Sequence, residues 1–266
     1  MNAHPEVPVV LVFAGTDPSG GAGIQADIET LSSMGCHAAT VVTTVTVQDT
    51  NNVHRCQVID ADIIAEQAHA ILKDMQVSAI KLGLLGSTEC IDVLRDILLK
   101  NPEIPVVLDP IIKAGGGAEL ADQNLKQGMI EKLFPLITVL TPNSLEAREL
   151  AAEADNLDAC AHQILESGCE YVLITGTHEQ SQQVCNRLYS DQQLVENFVW
   201  ERLPGAYHGS GCTLSVAIAG LLAQDLDPVA AVYQAQQYTW EALKHAYRVG
   251  MGQLIPNRLF WALDAK

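Results

Sequence analysis

Residues 7–35 read VPVVLVFAGTDPSGGAGIQADIETLSSMG, and how this stretch folds decides how the rest is read. Residues 7–15 are a continuous apolar run stopped by glycine, the signature of a strand buried on both faces. From Gly23 the pattern changes. Ile24, Ile28 and Leu31 recur at helical spacing, and Gly35 stands where a helix C-terminus calls for a left-handed residue. Strand, glycine-rich turn and helix in that order are the first part of a strand–helix–strand unit.

The alternation continues outward. Residues 38–48 are a Val/Thr strand, 60–75 an amphipathic helix, 78–86 a short strand and loop, and STECIDVLRDILLK a helix capped by serine. PVVLDP, LITVLTPN and YVLITG are three further buried strands, and residues 184–203 have the pattern of an antiparallel pair. Such alternation predicts an α/β fold, with a mainly parallel sheet, helices on both faces and antiparallel strands at one edge. Ligands then bind beyond the carboxyl ends of the strands. No repeat, low-complexity tract or linker divides the chain, so residues 1–266 are expected to form a single domain.

Composition narrows the function. Fifteen Lys and Arg against thirty-two Asp and Glu leave a formal charge of −17. Nucleic acid and anionic membranes both select cationic surfaces, so neither is expected as a partner. A small anionic substrate remains compatible, because backbone amides bind phosphate irrespective of net charge. Seven cysteines without a CxxC or framework spacing fit free thiols in a reducing compartment. With no basic n-region before residue 8 and no apolar run of membrane-spanning length, a cytoplasmic protein is expected.

Four stretches carry the chemistry. AGTDPSGGAGIQAD (14–27) follows a strand and opens a helix, as a phosphate-cradling loop does, but matches neither GxGxxG nor GxxxxGK[ST]. It is either a tight turn or, the reading preferred for so many glycines, a close backbone approach to a small ligand. TVLTPNSLEAREL (138–150) sets Asn143 three residues before Glu146. That spacing suits a reciprocal capping box and equally a Mg²⁺ site reached through water. In VVLDPIIKAGGG (106–117), Asp109 ends a strand before proline, as a turn former or a ligand to metal or substrate. The glycines at 115–117 suit a mobile flap or an anion-accepting backbone.

The fourth stretch, PGAYHGSGCTLSVAIAGLL (204–222), places two glycines and Cys212 at the start of a small-residue helix. Gly209 and Gly211 let successive amides turn toward one point, where the helix dipole also favours an anion. A thiolate at this position is expected to be favoured, lowering the Cys212 pKa below about 8.5. Three readings compete: a cysteine nucleophile, a buried structural thiol, and an anion hole for developing phosphate charge. The last uses every residue of the motif.

Taken together and in this order, AGTDPSGGAGIQAD, VTVQDT, KLGLLGS, VVLDP, TPNSLEA and HGSGCTLS resemble the hydroxymethylpyrimidine/phosphomethylpyrimidine kinases, members of the ribokinase-like superfamily. The resemblance spans residues 9–247. It implies pyrimidine recognition by Gln48, whose amide can donate and accept. It implies a substrate pocket that also includes Gly15, Asp17, Ala22, Leu84 and Ile111. Asn143 matches a position that handles Mg²⁺ and phosphates, Asp109 and Glu146 the metal-proximal acids, and Thr175 and His178 the nucleotide contacts. Gly209, Ser210, Gly211 and Cys212 match the anion hole, with cysteine where most relatives carry an aspartate base. The chain departs from the pattern at Thr175, where a lysine is usual, at Ala206, Tyr207 and Ser210, and in the loop KAGGGAEL.

The resemblance further implies ATP as co-substrate, Mg²⁺ as cofactor and a homodimer. The expected reaction is phosphorylation of 4-amino-5-hydroxymethyl-2-methylpyrimidine and then of its monophosphate. Pyridoxal and pyridoxamine kinases of the same superfamily, and a non-catalytic vitamin sensor on the same fold, are the rival readings.

Overall fold

The computed structural model describes residues 7–113, 116, 117 and 119–264. One nine-stranded sheet runs through it in the order β3-β2-β1-β4-β5-β6-β7-β8-β9. Its strands are β1 (Val9–Gly15), β2 (His37–Gln48), β3 (Val53–Val58), β4 (Val77–Leu82), β5 (Val106–Leu108), β6 (Val139–Leu140), β7 (Tyr171–Ile174), β8 (Gln183–Ser190) and β9 (Gln193–Glu201). The helices are α1 (Gly23–Ser33), α2 (Ala61–Asp74), α3 (Thr88–Lys100), α4 (Gln123–Gly128), α5 (Ser144–Leu150), α6 (Leu157–Glu166), α7 (Ser210–Leu222) and α8 (Pro228–Lys244).

β2, β1, β4, β5, β6 and β7 pair parallel with one another in that order, and β8 and β9 close one edge antiparallel, as the sequence pattern indicated. The opposite edge carries a strand the sequence reading missed. β3 pairs antiparallel with β2, and its residues 54–57 all face solvent, so it has no apolar alternation to reveal it.

Alternation along β1 builds the two cores. Leu11 and Phe13 pack on the side of α2, α3 and α6, whereas Val10, Val12 and Ala14 pack on the side of α1, α7 and α8. α7 is buried from Cys212 to Leu222, and Gly220 lets α1 approach it closely. A Cβ on Gly220 would lie 3.0 Å from Leu31. Gly35 takes φ +76° just past α1, as its position predicted.

One expectation for α1 is corrected. Ile28 is exposed, and the buried face is completed by Asp27 and Thr30. A charged residue inside the sheet–helix interface requires a partner, and that partner is part of the site.

β2 leaves β1 on one side and β4 flanks it on the other, so the chain changes direction at β1. The carboxyl ends of the strands on either side of this switch point carry the four sequence motifs. No helix among the described residues is long and apolar enough to cross a membrane.

Candidate active site

A cavity of about 790 Å³ opens above these strand ends. The candidate site residues line it, apart from the glycines at 115–117: Gly15 at the end of β1, Asp17 and Ala22 after it, Gln48 at the end of β2, Leu84 after β4, and Asp109 and Ile111 after β5. Asn143 and Glu146 follow β6, Thr175 and His178 follow β7, and residues 209–212 open α7. Its size is that of a small-molecule site. Gly115 lies outside the described residues, while Gly116 packs against Asn51 and Asn52 in the β2–β3 turn.

The amides at the start of α7 are uncapped. Gly209 takes φ +81°, a left-handed conformation glycine adopts freely, and no side chain among the described residues caps the helix. The first amides of a helix have no partner within it. Residues 209–212 line the cavity, where the dipole also favours negative charge. A Cβ on Gly209 would collide with the Gly21 carbonyl, so the anion-hole loop and the glycine loop pack back to back.

Asp17 organises the glycine loop. It accepts from the Ser19 amide at 2.8 Å, the Ser19 hydroxyl at 2.7 Å, the Ala22 amide at 2.7 Å and His208 Nε2 at 2.8 Å. Burial opposes its ionisation, but His208, Gln48 and Ser19 outweigh it and hold the carboxyl well below the usual range. His208 immediately precedes the Gly209–Cys212 turn. The structure gives it Asp17, remote in sequence and adjacent in space.

Asn143 and Glu146 form the complete capping box: Asn143 Oδ1 accepts from the amides of Leu145 and Glu146, and Glu146 Oε2 accepts from the Asn143 amide at 2.9 Å. Capping does not exclude the other reading, since Glu146 also lines the cavity. Burial and the charge of Asp109 push its carboxyl above the usual range. Burial likewise pushes Asp109 up, against the field of Lys81. Two buried acids, one of which raises the pKa of the other, are relieved by a cation. An all-oxygen pair of this kind suits Mg²⁺, which keeps several waters and needs few protein ligands.

The expectation of a favoured Cys212 thiolate is corrected. Burial pushes the thiol up to about 12; Lys81 opposes this, while Asp109 and Asp27 add to it. The helix dipole is outweighed by a dry pocket holding two carboxylates. Cys212 is therefore a neutral thiol at the cavity floor, only 8% exposed.

Beneath it lies a pair the sequence reading passed over. Lys81 Nζ lies 3.1 and 3.0 Å from the two carboxylate oxygens of Asp27, with both side chains fully buried. Burial pushes the Asp27 carboxyl up, and Asp27 in turn holds the Lys81 ammonium protonated against the same burial. A Cβ on Gly83 would come within 2.8 Å of Nζ, so KLG needs its glycine to make room for the lysine head. A lysine inside the apolar run SAIKLGLLG was the available signal, because an unpaired charge cannot remain there.

The wall beyond β7 and β8 lies outside the four motifs. Asn186 Oδ1 accepts from the Gly176 amide at 3.0 Å, and its Nδ2 donates to Gln236 Oε1 at 2.8 Å, which also accepts from Trp200 Nε1 at 3.0 Å. Arg202 lines the cavity and donates to the carbonyls of Thr177, Glu179 and Ser181, fixing the loop after β7.

The site joins uncapped helix amides, two cation-seeking carboxylates and a separate amide-and-carboxylate corner, which together suit transfer of a phosphoryl group to a small polar acceptor. Comparisons with known proteins agree. A hydroxymethylpyrimidine/phosphomethylpyrimidine kinase of Rhizobium meliloti is 35% identical over 256 residues, covering 92% of this chain and 94% of the relative. The structure of an ADP complex of Bacillus subtilis pyridoxal kinase superposes with TM-score 0.88 at 29% identity, covering 97% of this chain and all of that one. A phosphomethylpyrimidine kinase from Clostridium difficile superposes with TM-score 0.76 at 31% identity over 90% of this chain. The family profile described as phosphomethylpyrimidine kinase matches residues 17–257. With that profile spanning all but the first three residues of the four motifs, the chain belongs to the phosphomethylpyrimidine kinase family and is a phosphotransferase.

Proposed function

We propose that the chain transfers the γ-phosphoryl of ATP to the hydroxymethyl group of 4-amino-5-hydroxymethyl-2-methylpyrimidine, and then a second phosphoryl to the resulting monophosphate. The observation that carries this reading is that Gln48, the Asp17 loop and residues 209–212 all line one cavity. Gln48 can pair with the aminopyrimidine edge by donating and accepting at once. Ala22, Leu84 and Ile111 supply the apolar wall for a methylated ring. The ADP complex of the Bacillus subtilis relative supports a nucleotide as co-substrate, which we assign to the Thr175, His178 and Arg202 end of the cavity.

The amides of 209–212 bind the oxygens of the transferring phosphoryl, which develop charge as the bond to the leaving group loosens. Asp109 and Glu146 would hold Mg²⁺, which supplies charge neutralisation on the phosphates when bound. Cys212 orients the accepting oxygen as a neutral thiol rather than taking its proton as a thiolate; that proton passes to the transferred phosphoryl group as the new P–O bond forms and the bond to ADP breaks. Phosphoryl transfer tolerates a weak base because positioning and charge stabilisation carry most of the rate. The second acceptor is a phosphate whose second pKa is about 6, so it arrives largely ionised.

We also infer a single catalytic domain over residues 1–266, a cytoplasmic location and a homodimer; the uninterrupted nine-stranded sheet supports the first of these.

The test is steady-state phosphorylation of the aminopyrimidine alcohol, its monophosphate and pyridoxal, each with and without Mg²⁺. A higher kcat/KM for the aminopyrimidine is expected. The fold likeness to a pyridoxal kinase gives the rival reading its observation, and preference for pyridoxal would establish that rival.

A further inference from the structure

Arg258 is the largest fully buried side chain among the described residues, 1% exposed, and lies one residue past the span matched by the family profile. Its Nε donates to Thr213 Oγ1 at 3.0 Å. One terminal nitrogen donates to Glu29 Oε2 at 3.0 Å and Gly20 O at 3.4 Å, and the other to Gly21 O. Thr213 Oγ1 passes the contact on to Gly209 O at 2.8 Å. One guanidinium thus touches the glycine loop, α1 and the first turn of α7.

A second bridge joins the same two loops. His208, just before the anion hole, donates to Asp17 at 2.8 Å, and Asp17 accepts from the Ala22 amide at 2.7 Å. The Gly21–Ala22 peptide is therefore gripped at both ends, its carbonyl by Arg258 and its N–H by Asp17. The two loops have no slack between them, since a methyl on either Gly21 or Gly209 would collide with the other loop. Burying a guanidinium is costly, and an apolar side chain would fill the space as well. What the fork adds is fixed geometry toward several acceptors at once.

We propose that Arg258 is a positioning residue for phosphoryl transfer. With the His208–Asp17 pair it locks the glycine loop to the start of α7, so that the accepting oxygen and the 209–212 amides keep one spacing. The proposal rests on the function proposed above, in which the glycine loop faces the acceptor and the amides face the phosphoryl group. A misplacement of about 1 Å between such groups costs about 10²-fold in rate.

Two variants test it. Arg258→Met removes every donor, and Arg258→Lys keeps the charge but cannot reach Thr213 and Gly21 together. Each is assayed with the acceptor that the wild-type protein phosphorylates, beside amide hydrogen exchange and thermal melting. For Arg258→Lys, kcat is expected to fall between about 10- and 10²-fold, with KM for ATP little changed. Exchange at residues 19–23 and 209–213 is expected to rise together while the melting temperature stays above the assay range. If Arg258→Met does not fold, Arg258→Lys decides alone. Unchanged kcat in a folded variant, or a loss of activity that only parallels unfolding, overturns the proposal. Failure of the wild-type protein to phosphorylate the aminopyrimidine overturns the substrate assignment instead, and the exchange coupling is read independently of it.

Discussion

Lys81 and Asp27 face each other across the interface between β4 and α1, 3.0 Å apart and with no solvent contact. Truncating one partner leaves the other as an uncompensated buried charge, which costs about 3–5 kcal/mol. Lys81→Met and Asp27→Leu are each expected to destabilise by that order, read as a lower denaturant midpoint. The double variant removes both charges and should be more stable than either single one. A double variant as unstable as the sum of the singles would show that the pair is not coupled.

Cys212 lies where a general base would sit, and its thiol is pushed up to about 12 by burial in the presence of two carboxylates. A neutral thiol has little nucleophilicity, so alkylation of Cys212 at neutral pH should be slow beside that of exposed Cys56. Cys212→Ser keeps a small hydrogen-bonding group and should retain kcat within about tenfold, less than the 10²–10⁴-fold expected for loss of a general base. Cys212→Ala should impair the first phosphorylation, whose neutral alcohol depends on the thiol for orientation, more than the second, whose ionised acceptor is also held through its charge. Equal and complete loss of both steps would sink this account of the thiol.

The four motifs were legible because each lies in a short loop whose residues act nearly where the sequence puts them. Glycine spacing and strand ends placed Gly15, Asp109, Asn143 and Gly209 around one cavity before any coordinates. What remained hidden depends on separation in sequence. Asp17 meets His208 across 191 residues, and Arg258 meets Gly20 across 238. No local pattern encodes such a pairing. Asp27 was masked by an amphipathic reading that put Ile28 inside, where packing against α7 instead rotated the charged residue inward. β3 escaped because an edge strand with two wet faces carries no period-two signal. The Cys212 expectation failed for a different reason: the helix dipole can be read from sequence, but the desolvation that opposes it cannot.

Asp109 and Glu146 make the ligand-free protein pH-sensitive. Burial raises the carboxyl pKa of each in the folded state above its unfolded value, so the folded chain binds protons that the unfolded chain has released. Their contribution is present in full below the ordinary carboxylate pKa of about 4 and is lost as pH rises through the raised values. Relative to Glu146→Gln, which keeps the capping box but carries no charge, the melting temperature of the wild-type protein should fall more steeply from mildly acidic to neutral pH. Mg²⁺ should restore stability to the wild-type protein and much less to Glu146→Gln. Parallel melting curves for the two proteins across that range would show that Glu146 is not the group responsible.

Gly209 offers the sharpest separation of the anion hole from the rest of the site. Its φ of +81° and the absence of room beside Gly21 mean that any Cβ must displace one loop from the other. Gly209→Ala is expected to swing the first amides of α7 away from the cavity. Losing one such donor costs about 10²–10³-fold in kcat. Acceptor binding should suffer far less, because Gln48 and the β2 end that carries it are set by sheet pairing with β1 and β3. The measurement is kcat for phosphoryl transfer beside the dissociation constant of the aminopyrimidine in the absence of nucleotide. A variant that loses acceptor affinity and keeps kcat would place the 209–212 amides on the acceptor rather than on the phosphoryl group.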